Sequence, residues 1–253
     1  MDKDEEQNIE EEYKKLWDKY SSLGYDNFHK MKVAQEISRA LKEMLIPCPG
    51  GLVLDGGCGT GMLFREILNR TKANHLIGGD FSEVMLKDAE KKINNEMKDI
   101  CDKIDLQNFD LAKEFPFPDN KFDAEVFNIS INYLPHEGWK KALKEAWRTT
   151  KSGGYIYITA QTRDFDFSKG YKKEMLKEIK EKLLLRQLSF VIWMIRIKKV
   201  FVSKLDQWAK EKIILYPTSK ELINYQKQLG FVNVEVLAKP YYGTCIATRA
   251  RKP

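Results

Sequence analysis

Residues 51–61 read Gly51-Leu-Val-Leu-Asp55-Gly-Gly-Cys-Gly-Thr-Gly61. A short apolar run ends on an acid and passes into alternating glycines. Three apolar residues and an acid bounded by glycine fit a short buried strand. Gly57, Gly59 and Gly61 can take positive φ and let the backbone approach a ligand closely. A helix expected over 60–69 would follow, presenting free N–H groups and the positive end of its dipole. A strand, a glycine loop and a helix in that order suit an anion. The spacing is not the dinucleotide fingerprint, because Met62 and Phe64 stand where its last glycine or alanine would fall. The Walker Gly-Lys-Ser/Thr is absent as well. The pattern is Asp-x-Gly-x-Gly-x-Gly, in which the acid suits an ammonium and the loop a carboxylate. A ligand with both groups carries an amino-acid moiety.

On the N-terminal side, helices are expected over 7–21 and 27–46. In the second, Met31, Ala34, Ile37, Leu41 and Leu45 recur at helical spacing, and Pro47 and Pro49 end it. On the C-terminal side, strands are expected over 75–80, 104–109, 122–129 and 155–159. Helices fall between them, one capped by Ser82 and one over 135–149. Residues 163–216 break this rhythm and read as a basic, partly apolar helical insert. A helix over 219–229 and strands over 231–237 and 244–248 follow, the last two joined by so short a link that they must pair antiparallel. The expectation is an α/β, Rossmann-like sheet of seven mostly parallel strands with helices on both faces and the last strand antiparallel. One domain spans 1–253: an N-terminal helical cap (1–49), a ligand-binding core (50–162), a helical lid (163–216) and a closing helix and strands (217–253).

The 253 residues carry 43 Lys+Arg against 37 Asp+Glu, with 43% hydrophobic residues, which is a globular composition. The charge is uneven: residues 1–162 sum to −5 and residues 163–253 to +11. Cys48, Cys58, Cys101 and Cys245 show no metal or disulfide spacing, and His29, His75 and His136 are dispersed, so no metal is expected. The opening Met1-Asp-Lys-Asp-Glu-Glu6 lacks an apolar h-region, which leads to the expectation of a cytoplasmic protein. Arg186 and Arg196 interrupt the apolar stretch 183–202, leaving nine uncharged residues where a membrane span needs ~20. The apolar residues of 183–202 suit a lid helix buried on the domain or the wall of a hydrophobic substrate pocket, and Arg196, Lys198, Lys199 and Lys204 beside them also make 183–204 a candidate for peripheral membrane or dimer contact.

Three further residues refine the ligand. Asp80 ends the second expected strand, where a carboxylate can accept from a ribose diol. Asp110 follows the third, where it can accept from an adenine amine. Asn128 ends the fourth, beside the crevice where the strand order reverses. An amino acid, a ribose and an adenine together compose S-adenosylmethionine.

The sequence resembles the class I S-adenosylmethionine-dependent methyltransferases. The likeness rests on Val53-Leu-Asp-Gly-Gly-Cys-Gly-Thr-Gly61, Gly79-Asp-Phe-Ser-Glu-Val-Met85, Phe115-Pro-Phe-Pro-Asp-Asn-Lys-Phe-Asp123, and Lys141-Ala-Leu-Lys-Glu-Ala-Trp-Arg148 with Lys151-Ser-Gly-Gly154. It is similar to the small-molecule branch of ubiquinone/menaquinone-type C-methyltransferases, which Tyr25-Asp26 also matches. The resemblance implies that Asp55, Gly57, Cys58, Gly59 and Gly61 hold the methionine part and that Asp80 holds the ribose. Phe81 and Met85 would pack on adenine, Asp110 and the Leu111 N–H would bind its edge, and Asn128 would line the methionine side. The segment Asp110-Leu-Ala-Lys-Glu-Phe115 is one residue longer than in many members.

Candidates for a general base or an acceptor contact are Tyr25, His29, Tyr133 and His136, with Tyr20 and Asn132 nearby. The Asn/Asp-Pro-Pro-Tyr pattern of amino-nitrogen methylation is missing after the fourth strand, and so is a cysteine nucleophile for cytosine C5. The acceptor expected is a small molecule, either lipid, quinone or aromatic. RNA or protein held by the basic C-terminal part is the alternative, and a non-catalytic donor-binding protein is a third reading.

Overall fold

Strands β1 (Leu52–Gly56), β2 (His75–Asp80), β3 (Ile104–Asn108), β4 (Phe122–Asn128), β5 (Thr150–Gln161), β6 (Val232–Ala238) and β7 (Cys245–Arg251) make one sheet. Their order is β3-β2-β1-β4-β5-β7-β6. Every pair from β3 to β5 is parallel, and β7 runs antiparallel to both β5 and β6. The chain crosses from β3 to β4 at the far side of β1, so the order reverses between β1 and β4. That opens a crevice at their carboxyl ends. This computed structural model describes the backbone of residues 3–163, 171–184, 188–240, 243 and 245–253. Parts of the expected lid (164–170 and 185–187, with Arg186) and Thr244 lie outside the described residues.

The helices are α1 (Lys3–Ser22), α2 (Lys32–Met44), α3 (Phe64–Thr71), α4 (Glu83–Glu96), α5 (Gly138–Thr149), α6 (Tyr171–Leu184), α7 (Leu188–Ile197), α8 (Ser203–Lys210) and α9 (Ser219–Gln228). Alternation along the strands feeds two cores. Val53, Ala124, Val126 and Tyr157 face α2, α3 and α4, where Leu41, Met44, Phe64 and Ile67 are buried. Leu54, Phe127, Ile156 and Ile158 face α5 and α9, where Trp139, Leu143 and Leu222 are buried. A third cluster joins α1 to α7 and α8 through Tyr13, Tyr20, Trp193, Phe201 and Trp208.

Several expected boundaries move. The helix expected over 27–46 is two elements, a 3-10 turn at Tyr25–Lys30 and then α2. The helix expected from residue 60 starts at Phe64, because Gly59 and Gly61 hold φ of +55° and +71°, outside the helical range. The helix expected from residue 135 starts at Gly138, because His136 and Glu137 are left-handed at +49° and +57°. The strand expected over 155–159 is part of a longer β5 that also takes in residues 150–154, and its register against β4 shifts between Phe122 and Ala124. Ser82 caps α4 as expected, accepting from Met85 N at 3.2 Å.

Candidate functional site

The glycine loop folds back onto the end of β2. Gly57 N and Cys58 N both donate to Gly79 O, at 2.7 and 3.0 Å. Gly57 has φ +76°, and a Cβ there would lie 2.3 Å from Ser130 Cβ, so the loop also presses on the segment after β4. Ser130 is held in place by donating its hydroxyl to Gly56 O at 2.8 Å. The loop therefore touches the ends of β2 and β4 at once, which is the reversal point of the sheet.

Two carboxyls are buried under this loop. Asp80 accepts from Gly59 N through Oδ2 and from Ser82 N through Oδ1, each at 2.9 Å. A carboxylate has about four lone-pair sites, so Asp80 keeps acceptor capacity for a ligand. Burial pushes Asp80 up to about 6, against the pull of those N–H groups. Burial, with the charge of Asp80 added, pushes Asp55 up to about 7. The Cys58 thiol is raised by burial and by the same two charges. Asp18 adds a further acid, accepting from Ser82 Oγ at 2.5 Å. Anionic groups crowded into low dielectric favour a cationic ligand.

The other expected donor-site residues surround this centre. Met85 is buried in the first turn of α4. Leu111 is buried and would come within 3.3 Å of a Cβ on Gly57, which places it beside the loop. Asp110 lies just past β3 and accepts from Ala112 N at 2.8 Å. Asn128 accepts through Oδ1 from Thr159 Oγ1 at 2.6 Å, so that oxygen is tied to β5. Phe81 stacks on Tyr13 of α1, with ring centroids 5.3 Å apart at 23°. Burial raises the Tyr13 phenol against the pull of the neighbouring Trp17, and the charges of Asp110 and Asp80 add to the rise. The Tyr13 ring thus sits on Phe81 within the field of both acids expected to flank adenosine.

The N-terminal turn closes the loop from the side. Thr60 Oγ1 donates to Asp26 Oδ1 at 2.6 Å, and Lys92 Nζ donates to Asp26 Oδ2 at 2.8 Å and to Thr60 Oγ1 at 3.1 Å. A cleft of about 280 Å³ opens beside this clamp, lined by Tyr25, Asp26, Thr60, Asp88 and Lys92 among others. Tyr25 overlies the loop; a Cβ on Gly59 would meet its ring at 3.3 Å.

The four catalytic candidates fall into two pairs. Tyr25 and His29 meet edge to face at 5.6 Å beside the glycine loop. Burial pushes His29 down to about 4, against the pull of the Asp26 charge, so its imidazole is neutral at pH 7. Burial raises the Tyr25 phenol, and the charges of Asp80, Asp26 and Asp55 add to the rise. Tyr133 and His136 lie past β4, under residues 213–217. Tyr133 donates from its hydroxyl to Gln161 Oε1 at 3.2 Å and packs on Tyr216, while His136 N donates to Ile213 O at 2.8 Å. A chain of rings links the pairs: Tyr25 to Tyr20 at 5.1 Å, Tyr20 to Trp17 at 5.9 Å and Trp17 to Tyr133 at 5.6 Å. Phe201 stacks on Tyr20 at 4.0 Å and completes an aromatic roof.

Sequence reasoning missed Tyr13, Trp17, Asp18, Asp26, Thr60 and Lys92. Tyr13, Trp17 and Tyr20 stand at i, i+4 and i+7, an apolar stripe readable on α1. The clamp had no such signal, because its members are 34 and 66 residues apart.

Residues 53–154 match the family of methyltransferase domains. A demethylmenaquinone methyltransferase of Bacillus cereus (strain AH187) is 25% identical over 264 aligned positions, covering 100% of this chain and 99% of that one. A protein of the same name from Bacillus anthracis (strain CDC 684 / NRRL 3495) matches equally. Among solved structures, an S-adenosylmethionine-dependent methyltransferase of Thermotoga maritima superimposes with TM-score 0.60 at 20% identity, covering 94% of this chain and 98% of that one. Phosphoethanolamine N-methyltransferase 2 of Haemonchus contortus, solved with S-adenosylhomocysteine, does so with TM-score 0.55 at 18% identity, covering 80% of this chain and 38% of that one. The sheet order, the glycine loop and these matches make the chain a class I S-adenosylmethionine-dependent methyltransferase, and so an enzyme. Over its full length it is similar to the demethylmenaquinone methyltransferases.

Proposed function

We propose that the enzyme methylates a small apolar acceptor of the quinol type, drawn from a membrane surface. The observation that carries this reading is the aromatic roof of Trp17, Tyr20, Tyr133 and Phe201 beside the glycine loop. Flat rings favour stacking against flat, apolar partners. The 25% identical relative named for a demethylmenaquinone supports the same acceptor class.

The residues present fit S-adenosylmethionine. Two buried, upshifted carboxyls match a ligand with ammonium and sulfonium charges, and the glycines leave room that a Cβ would fill. When bound, it supplies a methyl group already activated on a sulfonium. In this reading Asp55 pairs with the ammonium and the loop N–H groups take the carboxylate. Asp80 takes the ribose hydroxyls through its spare lone pairs. Asp110 and the Leu111 N–H take the adenine edge, with Phe81 and Met85 against the ring and Asn128 along the methionine arm. Tyr13 leaves Phe81 when adenine arrives. For carbon methylation of a quinol, the acceptor hydroxyl would give up its proton, the ring carbon would take the methyl group, and that carbon's own proton would then leave as the ring re-aromatises and the oxygen is reprotonated. Neutral His29 is placed to accept a proton at pH 7, and the protonated Tyr25 phenol to hold an acceptor oxygen.

The contact with a membrane rests on α7. Phe190, Trp193, Met194 and Ile197 bury one of its faces in the aromatic cluster. Leu188, Ile192 and Ile195 expose the other, at 58%, 49% and 58%, with Arg196, Lys198 and Lys199 adjoining. An apolar stripe edged by cations suits an anionic lipid surface. Among the described residues no helix is long and apolar enough to cross a membrane.

The test is label transfer. The enzyme, methyl-labelled donor and a reductant are mixed with lipid, RNA and protein fractions. Label is expected in the apolar extract; label confined to RNA or protein would overturn the reading.

A further inference from the structure

Two polar side chains next to the aromatic roof are buried without partners. Asn132 is fully buried, and neither its Oδ1 nor its Nδ2 makes a hydrogen bond. Thr162 is 1% exposed, and its Oγ1 also makes none. They lie on adjoining segments. β4 and β5 are paired through Asn128 and Thr159, so Asn132 and Thr162 stand four and three residues past the same rung. The neighbours Tyr133 and Gln161 join the two segments by a hydrogen bond of 3.2 Å. Residues 213–217 roof this place, through His136 N to Ile213 O at 2.8 Å, the Pro135–Ile214 bridge, and Arg163 N to Pro217 O at 3.1 Å. The buried Nε2 of His136 is a fourth polar atom without a partner.

Native folds leave few buried polar groups unpaired, because each forfeits its hydration for nothing. Such groups on two adjoining segments, past the carboxyl ends of strands that border the crevice, indicate a polar ligand. We infer that Asn132 and Thr162 hold the oxygenated head of the methyl acceptor. A carboxamide offers an acceptor and two donors, and the threonine hydroxyl can do either. That set matches an aromatic hydroxyl donating to Asn132 Oδ1, while an oxygen accepts from Asn132 Nδ2 or Thr162 Oγ1. A hydrocarbon ring without oxygen would leave all of them unpaired. The inference rests on the quinol-type acceptor proposed above, and names the residues that orient it. Asn132 and Thr162 are positioning residues.

The probe is naphthalene-1,4-diol, kept reduced by dithiothreitol, with Asn132→Leu and Thr162→Val as near-isosteric variants. Expected are a KM for the diol at least tenfold higher in each variant, a smaller change in kcat, and S-adenosylhomocysteine affinity within twofold of wild type. If wild type turns the diol over and neither variant raises its KM, the inference is overturned while the acceptor reading survives. If wild type does not turn it over, the acceptor reading falls, and melting of the ligand-free proteins decides the inference. Asn132→Leu melting at or above wild type supports a group kept for a ligand at a cost to stability. Both variants melting several degrees lower would make the pair structural and overturn it.

Discussion

Donor binding is expected to expel protons, and the structure sets how many. Asp55 is pushed up to about 7 and Asp80 to about 6, chiefly by burial. At pH 6 roughly nine-tenths of Asp55 and half of Asp80 are protonated, and at pH 8 almost none of either. A ligand ammonium near Asp55 and hydroxyls donating to Asp80 favour the charged forms. S-adenosylhomocysteine should therefore release up to about 1.4 protons at pH 6 and about 0.1 at pH 8. Its affinity should rise roughly 20-fold over that interval, ten from Asp55 and two from Asp80. Ligand-free stability runs the other way. A carboxyl whose folded pKa is raised contributes stability that is full below its unfolded pKa and lost as pH climbs through the folded one. For Asp55 that is about 4 kcal/mol, present below pH 4 and gone above pH 7. Calorimetric titration in buffers of different ionisation heat counts the protons directly. Asp55→Asn should match wild type at low pH, bind more weakly at pH 8, and keep only about twofold pH dependence. Proton-neutral binding at pH 6, or an undiminished pH slope in Asp55→Asn, would refute the pairing of Asp55 with the ammonium.

Three other perturbations probe separate parts. Gly57→Ala places a Cβ 2.3 Å from Ser130 Cβ at φ +76°, so it should cost about 2–3 kcal/mol of stability and most donor affinity. Adding Ser130→Gly should recover only the steric part, as read by denaturant melts. Tyr13→Ala uncovers Phe81, so S-adenosylhomocysteine should associate several-fold faster in stopped-flow fluorescence, while melting falls because a buried ring is lost. Ile192→Glu with Ile195→Glu should cut sedimentation with anionic vesicles at least fivefold and leave S-adenosylhomocysteine affinity unchanged, since both side chains face solvent.

The parts of this enzyme that were legible in the sequence are those fixed by local pattern. Leu52 to Asp55 could only be a buried strand, and the strand–helix alternation required the parallel sheet that forms. The positive φ of Gly57 and Gly59 was foreseeable from residue type. Local pattern misjudged the starts of α3 and α5, where left-handed residues delay the helix by a few positions. Contacts between distant helices left no trace in any one stretch. That Tyr13 stacks on Phe81, or that Asp26 ties Thr60 to Lys92, depends on how α1 and its turn dock across the sheet. The apolar residues of 188–202 announced burial, yet did not say that one face of α7 would be buried and the other open.

A crystal structure with S-adenosylhomocysteine tests the central claim most directly. The account predicts the amino-acid end on the loop from Gly57 to Gly61 beside Asp55, the ribose on Asp80, and the adenine on Phe81 with Tyr13 displaced. Product bound elsewhere, with Tyr13 still stacked on Phe81, would contradict it.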